Sequence, residues 1–561
     1  MSGGLGLTPG RLGPEEVERL MEVAHKVVGP GGRPVAVAAY GSKVAGYARP
    51  DSDYDLIVVA DKFKGRVRYR YVNSPVTASA LVVEAKLLER DAVKAYLGEF
   101  VSGRLLNVYE PVLNPDLMLH AEVESKKRVL AEEILEVESQ YGEFAQDLVI
   151  PLEYFLFNKL HKRALIYPPA LYSYIKTYSC PSAQENKRFS LRGFAEAASS
   201  LQASGVLRLE ERDGGLQVRL LGEGLKGRAF ARLLSLFNLT TRGVRQYAVH
   251  GYAGRVGFNV FKDEALSKVK RMQAKADPPE ELEEPKSLLR LEEGVALPKT
   301  DQMVERLASL AGLASYRKTE KTLGEVYSTA RLVTLRGPDG AEARFVLKRF
   351  ADIRSVKWAI LNVWTPAHKF STSPQARMHR EYYASLALRS KGVAVPRILG
   401  AVLDEKALVK EFVEGKRLSD AVQSILDGRT EDVAVVERFG EAVAGVHRAG
   451  FALGDSKSSN VIVGGDGALY FTDLEQATEG GDQAWDVATF VYYQAKLSLK
   501  EAGMRKVADA FLKGYRRVNG VENIARAGAQ RYVAPFRPLT APGLLKTVRE
   551  SLEVNSAPGA P

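Results

Sequence analysis

The chain has 561 residues, 45% of them hydrophobic and 26% charged, too long for one hydrophobic core and too apolar for a disordered or fibrous protein, so several folded domains are expected. Its single cysteine, Cys180, excludes an intramolecular disulfide and a cysteine-built zinc centre, and no apolar run approaches the roughly 20 residues that span a bilayer; the expected setting is cytoplasmic, with no membrane partner. The net charge of +11 is uneven, Lys plus Arg exceeding Asp plus Glu by 15 to 7 over residues 151–250 and by 17 to 8 over 301–400, a pattern suited to phosphate-bearing partners.

To about residue 115, short apolar strands alternate with helical patterns. Residues 35–60, VAVAAYGSKVAGYARPDSDYDLIVVA, read as a buried strand, a Gly41-Ser42 turn, a short polar helix or loop, and Asp53-x-Asp55 entering a second strand. Strand residues two apart share a face, so Asp53 and Asp55 can reach one pair of divalent ions. Gly41 permits a tight turn, and Ser42 with the N–H groups after it can hold a nucleotide's terminal phosphates. Carboxylates beside phosphate-binding amides suit two-metal transfer, one ion activating the attacking hydroxyl and the other neutralising the leaving pyrophosphate.

This segment resembles the minimal nucleotidyltransferases of the DNA polymerase beta superfamily, in which Gly-Ser precedes Asp-x-Asp across a short spacer; ten residues separate Ser42 from Asp53 here. Gly46 and the run Ser52-Asp53-Tyr54-Asp55-Leu56 fit the smaller antitoxin-like and adenylylating members. The resemblance implies an α/β nucleotidyltransferase domain over residues 14–115, using Mg²⁺ and a nucleoside triphosphate. It also implies a third carboxylate on a later strand, for which Glu84 is the candidate.

Residues 117–180 are mostly helical, with helices expected near 153–165 and 168–178. From 188 to 222, Leu191, Phe194, Ala195, Ala198 and Leu201 recur at helical spacing, and Val206–Glu210 and Leu216–Leu220 then alternate around Arg212-Asp213-Gly214-Gly215. Helices followed by a hairpin predict a winged-helix-like region within 116–273. In a basic block it would contact nucleic acid through residues 151–250, Arg192, Arg208 and Arg219 meeting phosphates, or act as a scaffold. Pro and Glu density over 274–300 predicts a linker, and the end of the chain predicts a flexible tail over 536–561.

Residues 301–535 carry the parts of a phosphoryl-transfer site. Asp455-x-Lys457-x-x-Asn460 is followed by a strand, a Gly-rich turn, a second strand and Asp473. Phosphoryl transfer needs a carboxylate to orient the acceptor hydroxyl, a cation near the moving phosphate, and an amide and carboxylate for Mg²⁺; Asp455, Lys457, Asn460 and Asp473 supply them in that order. Upstream, Arg344–Lys348 is a strand ending in a lysine suited to grip phosphates. Ser373-Pro374 starts a helix that carries Glu381, the expected ion-pair partner of Lys348. Ala407–Phe412 followed by Val413-Glu414-Gly415 reads as the strand and hinge against which adenine rests, with Glu411 assigned to the cofactor. Asp486, after Trp485, is the helix-borne carboxylate expected to brace the catalytic loop.

Together these residues resemble the two-lobed protein-kinase-like superfamily, most closely RIO kinases, the small kinase of the KEOPS complex, and sugar or lipopolysaccharide kinases; Gly454 before Asp455 fits those groups. Leu453 replaces the usual histidine, Leu474-Glu475 replaces Phe-Gly, and Thr322–Thr329 stands where a G-x-G-x-x-G loop is usual. The seven histidines lack zinc-ligand spacing, and His447 is expected to pack before the catalytic loop.

The fold class expected is therefore α+β multidomain, and the activity bifunctional: Mg²⁺-dependent nucleotidyl transfer from the N-terminal half and ATP-dependent phosphoryl transfer, to protein Ser or Thr, from the C-terminal half. RNA or a small molecule are the other acceptors weighed. The alternative is a nucleic-acid-associated regulator in which one or both folds sense nucleotide, and a third reading is a toxin–antitoxin type factor that nucleotidylates tRNA or a protein.

Overall fold

The computed structural model describes residues 10–212, 214–221, 248–249, 253, 278–323, 329–351, 371, 373–497 and 500–557. Residues 324–328 of the loop expected at Thr322–Thr329 and most of residues 222–273 fall outside them. Two compact units, Met1–Arg290 and Leu291–Pro561, divide the chain. None of the described helices is long and apolar enough to cross a membrane.

The N-terminal unit is built on a mixed sheet in the order β3-β4-β2-β1-β5, from β1 (Pro34–Tyr40), β2 (Tyr54–Ala60), β3 (Val67–Val72), β4 (Ala78–Glu84) and β5 (Tyr109–Leu113). Near-continuous apolar runs make β1, β2 and β4 its interior, buried on both faces. The Arg/Tyr alternation of β3 suits the edge. Strands β2 and β4 run parallel, and the other pairs are antiparallel. Helix α1 (Pro14–Val28) starts with proline at its first turn and Glu16 capping the Gly13 N–H at 2.9 Å. Helix α2 (Ser42–Ala45) is one turn long, and α3 (Ala85–Lys94) follows β4.

Beyond the sheet come α4 (Pro115–Tyr141), β6 (Leu148–Pro151), α5 (Leu152–Ile166), α6 (Pro169–Ser179), α7 (Ala183–Ala203), β7 (Leu207–Arg212) and β8 (Gly215–Leu220). The helices and the β7–β8 hairpin stand in the order expected, and β6 adds to β8. Two buried acidic hubs tie this region together. Glu99 receives Arg128 at 2.6 Å, Lys159 at 2.7 Å and Arg163 at 3.1 Å. Glu122 receives Lys126 at 2.7 Å, Arg192 at 2.9 Å and the Tyr109 hydroxyl at 2.6 Å. Arg192 is therefore used inside the fold rather than on phosphate, and Arg219 pairs with Glu210 at 3.0 Å; Arg208 stays exposed.

The C-terminal unit begins with a six-stranded sheet in the order β9-β13-β14-β12-β11-β10. Its strands are β9 (Val295–Leu297), β10 (Arg317–Thr322), β11 (Ala330–Arg336), β12 (Glu342–Arg349), β13 (Ile398–Val402) and β14 (Ala407–Glu411). Helix α8 (Thr300–Leu310) and helix α9 (Pro374–Ser390) accompany it. A helical body follows: α10 (Leu418–Leu426), α11 (Val433–Arg448), α12 (Gln483–Leu497), α13 (Glu501–Asn519) and α14 (Pro542–Ser556), with a small sheet of β15 (Gly415–Arg417), β16 (Val461–Gly464) and β17 (Leu469–Phe471).

Two boundaries need correction. Within the expected 536–561 tail, Pro542–Ser556 is the helix α14: Leu544, Val548 and Leu552, at i, i+4 and i+8, bury one stripe of it in the helical core. The 274–300 linker is ordered where described. Leu282 and Leu289 are buried, and Val295–Leu297 pairs in parallel with Gly400–Val402. Pro and Glu density hid these spaced apolar anchors.

Helices α11 and α13 meet at glycines. A methyl group on Gly514 would overlap the Glu437 carbonyl, and one on Gly440 would overlap the Phe511 carbonyl, whereas the space beside Gly445 on the same helix is open. Gly514→Ala is expected to destabilise the helical body by about 1–3 kcal/mol. Gly445→Ala should be neutral or stabilise it by up to about 1 kcal/mol. Urea midpoints followed by tryptophan fluorescence check both, since Trp485 lies buried in that core.

Candidate functional site

The larger constellation belongs to the C-terminal unit. Lys348 and Val346 share a face of β12, and α9, capped by Ser373 Oγ on the Ala376 N–H at 3.3 Å, presents Glu381 to it. Glu381 is fully buried. Lys348 Nζ lies 2.5 Å from Glu381 Oε2, 2.7 Å from Asp473 Oδ1 and 3.3 Å from Glu475 Oε2. Burial by itself would lower the Lys348 pKa, but Asp473, Glu381 and Glu475 outweigh it and hold the pKa well above the usual lysine value. Burial likewise works to raise Asp473, and Lys348 reverses it, so Asp473 stays ionised. In Glu475, burial prevails over Lys348 and the pKa rises.

Asp455 leads the loop that ends at Asn460. Lys457 Nζ pairs with it at 2.8 Å, and Asn460 Nδ2 donates to the Asp455 carbonyl at 3.0 Å and to Oδ2 at 3.3 Å. Thr472 ties the next strand to this loop, its N–H reaching the Asn460 carbonyl at 2.9 Å and its hydroxyl the same oxygen at 3.0 Å. Asn460 and Asp473 are thereby set on adjoining segments. Asp486 accepts from the N–H of Leu453 at 2.6 Å and of Gly454 at 2.7 Å, and bonds His447 Nε2 at 2.9 Å. Trp485 Nε1 closes the loop on the Gly454 carbonyl at 2.9 Å. His447 thus does more than pack: its Nδ1 bonds the Tyr515 hydroxyl at 2.6 Å, holding the brace from behind.

Oxygen donors from Asn460 and Asp473 near Lys348 are of the kind that fit Mg²⁺, a hard cation. Carboxylate oxygens of Glu381, Asp473 and Glu475 also lie within 4.8 Å of one another. Glu411, assigned above to the cofactor, pairs with Arg397. Its carboxylate accepts the Arg397 N–H at 3.3 Å and its own N–H reaches the Arg397 carbonyl at 2.8 Å, tying the end of β14 to the residue before β13. Three charged residues to which the sequence assigns no site role join this cluster: Glu475, Arg377 and Lys410. Glu475 is paired with Arg377 at 3.2 Å, and Lys410 reaches Glu381 Oε1 at 2.5 Å. The signal for Lys410 was a charge inside the strand ALVKE, whose other residues before Glu411 are apolar and buried.

In the N-terminal unit, Gly41 adopts φ +79°, and a side chain there would strike the Asp55 carboxylate. Gly41, Ser42 and Asp55 are thus brought together at the end of β1 and the start of β2. Asp53, exposed, lies immediately before β2 begins at Tyr54. Glu84 does not join them. In the parallel register Asp55 faces Ser79 while Glu84 faces Ala60, five residues along and about 17 Å away. The β4 residue level with the acidic pair is the hydroxyl-bearing Ser79. Beside Asp55 on β1 stands Tyr40, whose hydroxyl accepts from Arg104 Nε at 3.1 Å; burial raises the Tyr40 pKa beyond its ordinary value.

No protein-family model matches the chain. Two relatives show distant similarity. One is the KEOPS complex subunit Bud32 of Pyrococcus abyssi (strain GE5 / Orsay), 24% identical over 195 residues, covering 32% of this chain and 84% of the relative. The other is a probable bifunctional tRNA threonylcarbamoyladenosine biosynthesis protein of Methanocaldococcus jannaschii, 26% identical over 145 residues, covering 26% of this chain and only 25% of that protein. The similarity supports a kinase-like domain in about a third of the chain.

Proposed function

We propose that the C-terminal unit is an atypical ATP-dependent phosphotransferase or ATPase working in or beside tRNA threonylcarbamoyladenosine biosynthesis. The observation that carries this reading is Lys348 held between Glu381 and Asp473 beside the Asp455–Asn460 loop. Lys348 grips the α- and β-phosphates, Asp455 accepts the proton of the attacking hydroxyl, and Lys457 offsets charge as the γ-phosphoryl group leaves ADP. Asn460 and Asp473 would hold Mg²⁺, which when bound would neutralise charge on the phosphate oxygens. The acceptor is a protein Ser or Thr hydroxyl, with water the competing acceptor. The short span from Asp473 to Asp486 leaves little chain for a peptide-docking segment.

Label from γ-³²P-ATP separates the acceptors: protein-bound label marks kinase action, and inorganic phosphate marks hydrolysis. Asp455→Ala is expected to lower turnover by roughly 10²–10⁴-fold, the range for losing a positioned proton acceptor, with ATP affinity largely kept. Turnover unchanged in Asp455→Ala and in Asp473→Ala would overturn the reading. Added tRNA is expected to change the rate if the pathway assignment holds.

For the N-terminal unit we infer Mg²⁺-dependent nucleotidyl transfer to a protein or RNA acceptor. Ser42 and the Gly41 turn would receive the terminal phosphates, and Asp53 with Asp55 the metal. Ser79, level with Asp55 where a third carboxylate would complete the site, favours a second reading in which this unit binds nucleotide as a sensor without turnover. Transfer of α-³²P label that disappears in Asp53→Ala is the expected result for transfer. Nucleotide-dependent thermal stabilisation lost in Asp53→Ala, without label transfer, would select the sensor.

A further inference from the structure

We propose that Lys410 is a positioning residue for the phosphotransferase site, a role that rests on the reading of that site given above. Lys410 and Val346 are register partners on β14 and β12, and Lys348 is two residues from Val346. Both lysines therefore face the same side of the sheet, toward α9. They divide one carboxylate between them, Lys348 taking Glu381 Oε2 and Lys410 taking Glu381 Oε1, each at 2.5 Å. Lys410 makes a second bond, at 2.6 Å, to the carbonyl of Thr472, the residue before Asp473. It is 3% exposed, so neither contact is a surface accident.

The donor count shows what this does. An ammonium group has three N–H donors, and Lys348 has three carboxylate partners, Glu381, Asp473 and Glu475. To take a phosphate oxygen, Lys348 must give one of them up. Without Lys410, Glu381 would depend on Lys348 alone, and a buried carboxylate that loses its cation is costly. With Lys410 in place, Glu381 stays compensated while Lys348 turns to the phosphates, and Asp473 is released to the metal with its backbone still anchored through Thr472. The three carboxylates are matched by three cations, Lys348, Lys410 and Arg377, so the site can accept a polyanionic nucleotide without first expelling charge. Lys410 touches neither nucleotide nor acceptor in this scheme; it acts through Glu381 and Thr472.

The test compares full-length wild type, Lys410→Met, Lys410→Arg, Glu381→Gln and the double variant Lys410→Met/Glu381→Gln. Each is measured for kcat, KM for Mg·ATP, the Mg²⁺ concentration giving half-maximal rate, and melting temperature. Lys410→Met is expected to lower kcat/KM by roughly ten- to a hundredfold and to raise the Mg²⁺ requirement, with partial rescue in Lys410→Arg. In the double variant the loss should be no greater than in Glu381→Gln alone, because both changes break one unit. A folded Lys410→Met with wild-type kcat, KM and Mg²⁺ dependence overturns the proposal, as does a loss that multiplies with that of Glu381→Gln. Should Lys410→Met fail to fold, Lys410→Arg decides: wild-type kinetics overturn the proposal, and a raised Mg²⁺ requirement at unchanged melting temperature supports it. A wild type that neither binds nor turns over Mg·ATP overturns the phosphotransferase reading itself, and is thereby told apart from failure of the Lys410 role.

Discussion

Glu381 has no exposed surface, and a carboxylate taken out of water persists as an anion only where cations and donors replace its hydration. Two strands and the segment before Asp473 are arranged around that need. Strands β12 and β14 each send up a lysine, α9 brings the carboxylate down from above, and the Thr472 carbonyl takes part of the second lysine's hydrogen bonding. The segment bearing Asp473 is in turn tied to the Asp455 loop through the Asn460 carbonyl. The position of Asp473 relative to Asp455 thus descends, through a short chain of bonds, from the compensation of a single buried charge.

The loop carrying Asp455 has its own buried anchor. Asp486 spends both carboxylate oxygens on the N–H groups of Leu453 and Gly454 and on His447. This explains how the loop tolerates leucine at 453: the loop is held by its backbone, and the imidazole that meets the anchor comes from α11. In the N-terminal unit the same economy appears in Glu99 and Glu122, each gathering cations from separate helices. Lys159, Arg163 and Arg192 pair with Glu99 and Glu122, which lie outside residues 151–250, so the basic excess of that block overstates the charge available to a polyanion.

Much of the C-terminal site was legible in the sequence because its parts are local. Asp455, Lys457 and Asn460 sit within one turn-sized stretch, and a lysine closing an apolar strand or a glutamate inside a capped helix is visible without knowing the fold. Lys410 was not legible. A lysine near the end of a strand usually leads to solvent, and only the pairing with Val346 turns it inward beside Lys348. Glu84 failed for the same kind of reason. Its strand was found, but the parallel register with β2 sets it at the far end from Asp55. The end of the chain was misjudged because its small residues and prolines were weighed above the spaced Leu544, Val548 and Leu552.

Sequence alone therefore determined what depends on spacing along one segment: the strand that carries Asp55, the turn that needs Gly41, the loop from Asp455 to Asn460, and the helix that carries Glu381. These follow from backbone periods of two and 3.6 residues, which any neighbour sees. Tertiary structure decided which distant groups share a buried volume: Lys410 with Glu381, Glu475 with Lys348, Ser79 with Asp55, and Arg192 with Glu122. Strand register and helix packing set those meetings, and the cost of leaving a charge unpaired away from water makes them binding on the fold.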